Sequence, residues 1–122
     1  MTRVLVADDA SFMRQMIRDI IEPEGYDVVG EAGDGVEVVD RFKELRPDLV
    51  MMDIVMPKRS GIDAVKTIKA EDASACIVMC SALGQETLVM EAIQAGAKDF
   101  IVKPFKPEAV LHTLEKVVEK AG

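Results

Sequence analysis

The chain has 122 residues, of which 49% are apolar and 30% are charged, and its formal net charge is −7. The length predicts one domain with enough apolar side chains for a core. The acidic balance argues against a nucleic-acid-binding protein, which needs a basic face to neutralise phosphates. No apolar run reaches the ~20 residues of a membrane span, and the N-terminal apolar segment is too short for a signal peptide. We therefore expect a cytoplasmic domain that spans residues 1–122.

Two sequence patterns alternate from one end of the chain to the other. Short apolar runs predict buried strands, and they cover residues 3–8, 26–32, 49–53, 76–80 and 99–103. Segments with helical spacing lie between and after them, at residues 11–22, 36–45, 62–69, 84–95 and from 107 onwards. Pro23, Gly25 and Gly96 mark helix ends, and Pro104 ends the last strand.

The spacing of apolar residues also predicts which face of each helix is buried. The first helix is expected to bury Phe12, Met13, Met16, Ile17, Ile20 and Ile21. The second is expected to bury Val36, Val39, Phe42 and Leu45. We interpret Cys76 and Cys80 as small core residues that are too far apart for a disulfide, and His112 as a solvated or half-buried helix residue.

Alternation of strands and helices predicts a parallel sheet with helices on both faces. The usual five-strand solution is the flavodoxin-like (βα)5 sandwich with strand order 2-1-3-4-5, whose switch point lies between strands 1 and 3. This order places Asp8 and Asp9, at the end of strand 1, beside Asp53, at the end of strand 3. Ligands of such sheets bind at this edge.

The three acids predict a site for a cation. One of Asp8 and Asp9 could simply cap the following helix, but like charges this close repel one another and require a counter-charge. Carboxylate oxygens with few other protein ligands suit Mg²⁺. Lys103 and Ser81 end strands 5 and 4 at the same edge, so the site has the groups needed to hold a phosphoryl group. An Asp carboxylate can itself be the nucleophile in phosphoryl transfer, and Asp53 is the best candidate.

These motifs resemble the receiver domain of two-component response regulators, and the sequences around them are similar to those of CheY-type chemotaxis regulators. The resemblance covers the whole chain and rests on five motifs in order: Asp8-Asp9, Asp53 with Met56-Pro57, Gly61, Ser81-Ala82 and Lys103-Pro104-Phe105. It implies that Asp53 is the phosphoacceptor. It also implies that Mg²⁺ is bound by Asp9, Asp53 and the backbone carbonyl of Val55, with Asp8 acting partly through water.

The resemblance further implies how phosphorylation of the site would change a partner-binding surface. Lys103 and Ser81 would contact the phosphoryl group, and Phe100 would be the aromatic switch residue, where some members have Tyr. Ser81 and Phe100 would change the surface of helix 4, strand 5 and helix 5, where a partner docks. The Lys103–Pro104 peptide bond is expected to be cis.

The same resemblance implies that the chain would be a monomeric signalling switch and not an enzyme. We expect a single receiver domain over residues 1–122 with no output domain. A CheA-like histidine kinase would donate the phosphoryl group, a flagellar motor switch protein would be the target, and a phosphatase could act on the product. The runner-up is a phosphorelay intermediate that passes the group to a second histidine protein. A haloacid-dehalogenase-type phosphatase would need an acid at Val55, and a flavodoxin-like cofactor carrier would not place Asp8 and Asp9 in its phosphate loop.

Overall fold

In the computed structural model, which describes residues 1–121, strands and helices alternate along the chain. The strands are β1 (Arg3–Ala7), β2 (Asp27–Ala32), β3 (Leu49–Asp53), β4 (Ile77–Ser81) and β5 (Asp99–Val102). The helices are α1 (Ser11–Ile21), α2 (Gly35–Leu45), α3 (Gly61–Glu71), α4 (Glu86–Ala95) and α5 (Pro107–Ala121), and a short 3-10 turn (Glu22–Glu24) follows α1. Within this range, no helix is both long and apolar enough to cross a membrane.

The sheet is parallel and has the order β2-β1-β3-β4-β5. This confirms the predicted flavodoxin-like arrangement. The central strand β3 is buried along its whole length, as a strand covered by helices on both faces must be. Ala7 of β1 pairs with Met52 of β3, so the residues that follow each of them meet at one edge of the sheet.

The apolar core has two layers, one on each face of the sheet. Alternate residues of β3 point into opposite layers: Val50 and Met52 belong to the layer that includes Phe42 of α2. Leu49 and Met51 belong to the layer that includes Leu114 of α5. Cys76 and Cys80 are free, buried and part of this second layer, in agreement with their interpretation as core residues.

The predicted helix faces are partly wrong for α1 and α2. Phe12 is 67% exposed, Met16 41% and Val36 44%. In α1 the fully buried stripe runs through Ile17 and Ile21, and Phe12 and Met16, which are also four residues apart, lie on the neighbouring stripe that faces away from the sheet. In α2, Val36 lies in the first turn, and the buried residues include Val38, Val39 and Phe42.

Side chains and backbone turns fix the helix ends. Asp34 accepts hydrogen bonds from the backbone N–H groups of Val36 and Glu37 at the start of α2, and Ser60 accepts one from Asp63 at the start of α3. Such caps satisfy backbone donors that have no partner within the helix. Gly96 has φ 124° after α4, as its predicted capping role requires. The Lys103–Pro104 bond is cis, which confirms that prediction.

The buried and exposed phenylalanines provide a test of this core. Phe42→Ala removes a side chain that is 2% exposed, and we expect it to lower the free energy of unfolding by about 3–5 kcal/mol because it leaves a cavity. Phe12→Ala is the matched control and should change stability by no more than about 0.5 kcal/mol. Urea denaturation of both variants measures the difference, and equal losses would contradict the assignment of the two rings.

Candidate functional site

Three carboxylates meet at the carboxyl edge of the sheet. Asp8 directly follows β1, Asp9 comes next, and Asp53 is the last residue of β3. One oxygen from each of the three lies within 4.8 Å of the others. Asp8 is 1% exposed and Asp53 is 8% exposed, whereas Asp9 faces solvent. The sheet order therefore brings together acids from two distant parts of the chain, as the sequence predicted.

Lys103 provides the counter-charge within this cluster. Its Nζ donates to Asp8 Oδ2 at 3.0 Å and to Asp53 Oδ2 at 3.0 Å. The backbone N–H of Lys103 also donates to the carbonyl oxygen of Ser81 at 2.7 Å, which ties the end of β5 to the end of β4. The two side-chain hydrogen bonds place the ammonium group between the two buried carboxylates. The backbone hydrogen bond fixes the position of the residue that carries it.

The loop after Asp53 is closely packed. The backbone nitrogen of Val55 lies 3.4 Å from Asp53 Oδ1, while Val55 as a whole is 55% exposed. The N–H of Gly61 donates to the carbonyl of Ile54 at 2.7 Å. A Cβ atom at position 61 would clash with the carbonyl oxygens of Asp53 and Ile54, so this turn requires glycine. The backbone around Val55 is thereby held close to the carboxylates.

The electrostatics of the cluster are unbalanced. Burial raises the pKa of Asp53 above its usual range, and Asp8 adds to this effect, although Lys103 opposes it. Burial acts to lower the pKa of Lys103, but its hydrogen bonds and charge interactions with Asp53 and Asp8 raise it overall. The ammonium group of Lys103 is thus bonded to two of the three carboxylates, and negative charge is in excess. This all-oxygen donor set with excess negative charge fits Mg²⁺, which prefers carboxylate ligands and retains several waters.

Ser81 and Phe100 lie on the strands next to this cluster. Ser81 is 1% exposed at the end of β4, one residue beyond Cys80, which pairs with Asp53. Phe100 lies earlier on β5 and is 41% exposed. Phe100 and Lys103 are therefore three residues apart on one short segment, with the ring at the surface and the ammonium group in the site.

Sequence reasoning missed one residue that contacts the cluster. The helical spacing of α1 places Arg14 opposite the apolar residues and so predicts a solvated side chain, but its Nη1 donates to the backbone carbonyl of Asp8 at 2.6 Å. Its Nε donates to Glu31 on β2 at 2.7 Å. Nothing local in the sequence indicates these contacts, because they depend on how α1 crosses the sheet. Lys58, in the loop after β3, forms an ion pair with Asp34 at 3.5 Å.

Comparison with known proteins identifies the family. The response regulator receiver domain model matches residues 4–115. The chain belongs to this family. It is 58% identical to a chemotaxis protein CheY of Thermotoga maritima, over 94% of this chain and 96% of the relative. It is 55% identical to a chemotaxis protein CheY of Bacillus subtilis, over 95% of this chain and 97% of the relative.

Solved structures that superpose on this chain are also response regulator proteins. A CheX–CheY complex with BeF3 and Mg²⁺ from Borrelia burgdorferi superposes with a TM-score of 0.92 at 38% identity, covering 96% of this chain and 89% of that one. The response regulator domain of Thermotoga maritima CheB gives 0.87 at 38% identity, covering 99% and 96%. Receiver domains bind Mg²⁺ at an acidic pocket, and the carboxylate cluster described above is the corresponding feature of this chain.

The raised pKa of Asp53 predicts that its charge destabilises the metal-free protein. A carboxyl whose folded pKa exceeds its unfolded pKa binds protons more strongly in the folded state. The ionised Asp53 carboxylate therefore lowers the free energy of unfolding at pH values above its folded pKa. This loss of stability disappears as the pH falls through the folded pKa and then the unfolded pKa. We expect Asp53→Asn to be more stable than wild type in chelator at neutral pH, and this gain to shrink in acid.

The measurement is urea denaturation of both proteins across the acidic and neutral range. Asp48→Asn, which changes an exposed acid at the opposite end of β3, controls for the general effect of removing one negative charge. A gain for Asp53→Asn that is no larger than that of the control, or that does not depend on pH, would contradict the electrostatic description.

Proposed function

We propose that this chain is a Mg²⁺-dependent signalling switch that accepts a phosphoryl group on Asp53 from a histidine kinase. The observation that carries the proposal is the Asp53 carboxylate itself, which lies at the end of the central strand between two further acids and the ammonium group of Lys103. A relative of the same fold is solved with BeF3 and Mg²⁺, and BeF3 resembles a phosphoryl group in charge and shape.

In the proposed reaction, an oxygen of Asp53 forms a bond to phosphorus while the bond from phosphorus to the histidine nitrogen of the donor breaks. The departing imidazole retains the electron pair of that bond and takes up a proton. Asp8, Asp9, Asp53 and the carbonyl of Val55 would hold Mg²⁺, which when bound neutralises charge on the transferred oxygens. Lys103, already 3.0 Å from Asp53, would move its hydrogen bond to a phosphoryl oxygen, and Ser81 would donate another.

The proposal includes a surface that reports the phosphorylation state. Apolar side chains are exposed along α4, β5 and the segment before α4: Leu83 at 81%, Met90 at 60%, Phe100 at 41% and Val102 at 38%. Three of these residues, Leu83, Phe100 and Val102, line one surface depression, and exposed apolar groups that lie together favour a protein-binding role. Movement of Ser81 toward the phosphoryl group would free space for the Phe100 ring to turn inward, so that this surface changes shape.

The proposed target is a flagellar motor switch protein, and the proposed setting is chemotaxis in the cytoplasm. The curated relatives named above are chemotaxis proteins that match this chain over nearly their full length, which supports a receiver domain over residues 1–122 acting on a separate partner. The Val55 side chain has no acidic group with which to activate water, and this favours a switch over an aspartyl-phosphate hydrolase. A phosphorelay intermediate, which passes its phosphoryl group to a second histidine protein, is the alternative.

Phosphorylation of Asp53 can be measured directly by intact mass. Wild type incubated with Mg²⁺ and a small acyl phosphate should gain the mass of one phosphoryl group, whereas Asp53→Asn or excess chelator should prevent the gain. Asp48→Asn is the matched control and should react like wild type. Phosphorylation of Asp53→Asn at the wild-type rate would show that another residue is the acceptor. Transfer from the phosphorylated protein to a histidine-phosphotransfer domain, but no binding to a motor-switch peptide, would favour the alternative.

The switch can be tested separately from the acceptor. We expect phosphorylation to strengthen binding of a motor-switch peptide by about 5- to 150-fold, the usual range of coupling between two sites. Ser81→Ala should retain phosphorylation but lose much of this gain, and Phe100→Ala should weaken peptide binding with little change in Mg²⁺ affinity. Val36→Ala, which changes an exposed apolar residue of α2, is the control. An equal phosphorylation-dependent gain in all four proteins would exclude this coupling mechanism.

A further inference from the structure

Arg14 connects an edge strand to the backbone of the carboxylate cluster. Its guanidinium donates from Nη1 to the carbonyl oxygen of Asp8 at 2.6 Å and from Nε to Glu31 Oε1 at 2.7 Å. The side chain is only 18% exposed, so water competes little for these hydrogen bonds. Two donors of one rigid planar group are thus used in two directions, toward β2 and toward the end of β1.

The carbonyl that Arg14 binds belongs to the peptide group that joins Asp8 to Asp9. The N–H of Asp8 is also held, because it donates to the carbonyl of Ala32 at 3.0 Å. With hydrogen bonds on both sides of the Asp8 α-carbon, the peptide that leads to Asp9 has a defined orientation. Asp9 is exposed, and this backbone sets the direction in which its side chain leaves the chain.

Glu31 holds Arg14 in place and also binds a second arginine. Arg18 donates from Nη1 to Glu31 Oε2 at 2.8 Å and from Nε to Glu22 Oε1 at 3.1 Å. Arg14 and Arg18 therefore share the same carboxylate and the same helix. They differ in the second contact, which for Arg14 is the backbone of Asp8 and for Arg18 is a surface acid. This difference provides a control within the chain.

We propose that Arg14, anchored by Glu31, is a positioning residue that fixes the Asp8–Asp9 peptide and so orients the Asp9 carboxylate toward the cation of the site. The inference rests on the proposed function, because it assigns Arg14 a role at the Mg²⁺ site proposed there. Arg14 acts through the backbone and not as a ligand, since a cationic guanidinium cannot bind a metal ion.

The test compares Arg14→Gln with Arg18→Gln. Removing a group that orients a metal ligand commonly weakens metal binding by about tenfold or more, and we expect this loss of Mg²⁺ affinity, measured by calorimetry, for Arg14→Gln. Arg18→Gln, which loses the same ion pair to Glu31, should stay within about twofold of wild type. Equal effects of the two substitutions would overturn the proposal.

A second substitution separates geometry from charge. Arg14→Lys keeps the positive charge near the acids, but a single ammonium group cannot reproduce the planar fork that reaches two acceptors in fixed directions. We expect Arg14→Lys to bind Mg²⁺ nearly as weakly as Arg14→Gln. If Arg14→Lys bound Mg²⁺ with wild-type affinity, the positive charge alone would be sufficient, and the proposed positioning role of Arg14 would be wrong. Arg14→Lys also serves as the test variant if Arg14→Gln does not fold.

Hydrogen exchange tests the role of Arg14 without metal or phosphate. In chelator, the backbone amides of residues 8–10 should exchange several times faster in Arg14→Gln and Arg14→Lys than in wild type, and at the wild-type rate in Arg18→Gln. Unchanged exchange in both Arg14 variants would overturn the proposal. If wild type neither binds Mg²⁺ nor accepts a phosphoryl group, the proposed function fails. The exchange rates then decide whether Arg14 orders the peptide, and unchanged rates would exclude that role as well.

Discussion

The bridge from Lys103 to Asp8 and Asp53 is the interaction on which the rest of the site depends. These residues are 95 and 50 positions apart in the sequence, and Nζ lies 3.0 Å from each carboxylate. Two largely buried acids at such close range are unstable without a cation because they repel one another and have lost solvation. One ammonium group joins the ends of β1, β3 and β5. It leaves enough negative charge uncompensated to favour a divalent ion.

The strand that carries this lysine also links the site to the surface. Lys103 directly follows β5, and the exposed Phe100 ring lies three residues earlier on the same segment. The N–H of Lys103 also donates a hydrogen bond to the carbonyl of Ser81, so the carboxyl ends of β4 and β5 are linked directly. A change in what Lys103 contacts can therefore alter the relative stability of two arrangements of this surface, as a population shift requires.

Close packing on the other side of the site limits its freedom. Gly61 and Gly35 each lie against backbone where a Cβ atom would clash, Gly61 against Asp53 and Ile54, and Gly35 against Arg59. The N–H of Gly35 donates to the carbonyl of Pro57 at 3.3 Å. The loop after β3 is thereby held between α2 and α3, and on the β1 side Arg14 holds the Asp8–Asp9 peptide. The loop after β3 and the Asp8–Asp9 peptide are thus both held through contacts to their backbone. The ammonium group of Lys103, which lies between the acids, is on a flexible side chain.

The sequence by itself determined the alternation of strands and helices, the flavodoxin-like class and the gathering of Asp8, Asp9, Asp53 and Lys103 at one edge. The periodicity of apolar residues and the Pro and Gly residues that end helices and strands are local features, so they can be identified in the sequence alone. Right-handed crossovers between parallel strands leave few possible strand orders. Only the tertiary structure decided which helix stripes are buried, leaving Phe12, Met16 and Val36 exposed, and which side chains support the acids, as Arg14 does. The physical reason is that burial and long-range hydrogen bonds depend on the angle and depth at which each helix packs on the sheet, and residue spacing along one helix does not contain that information.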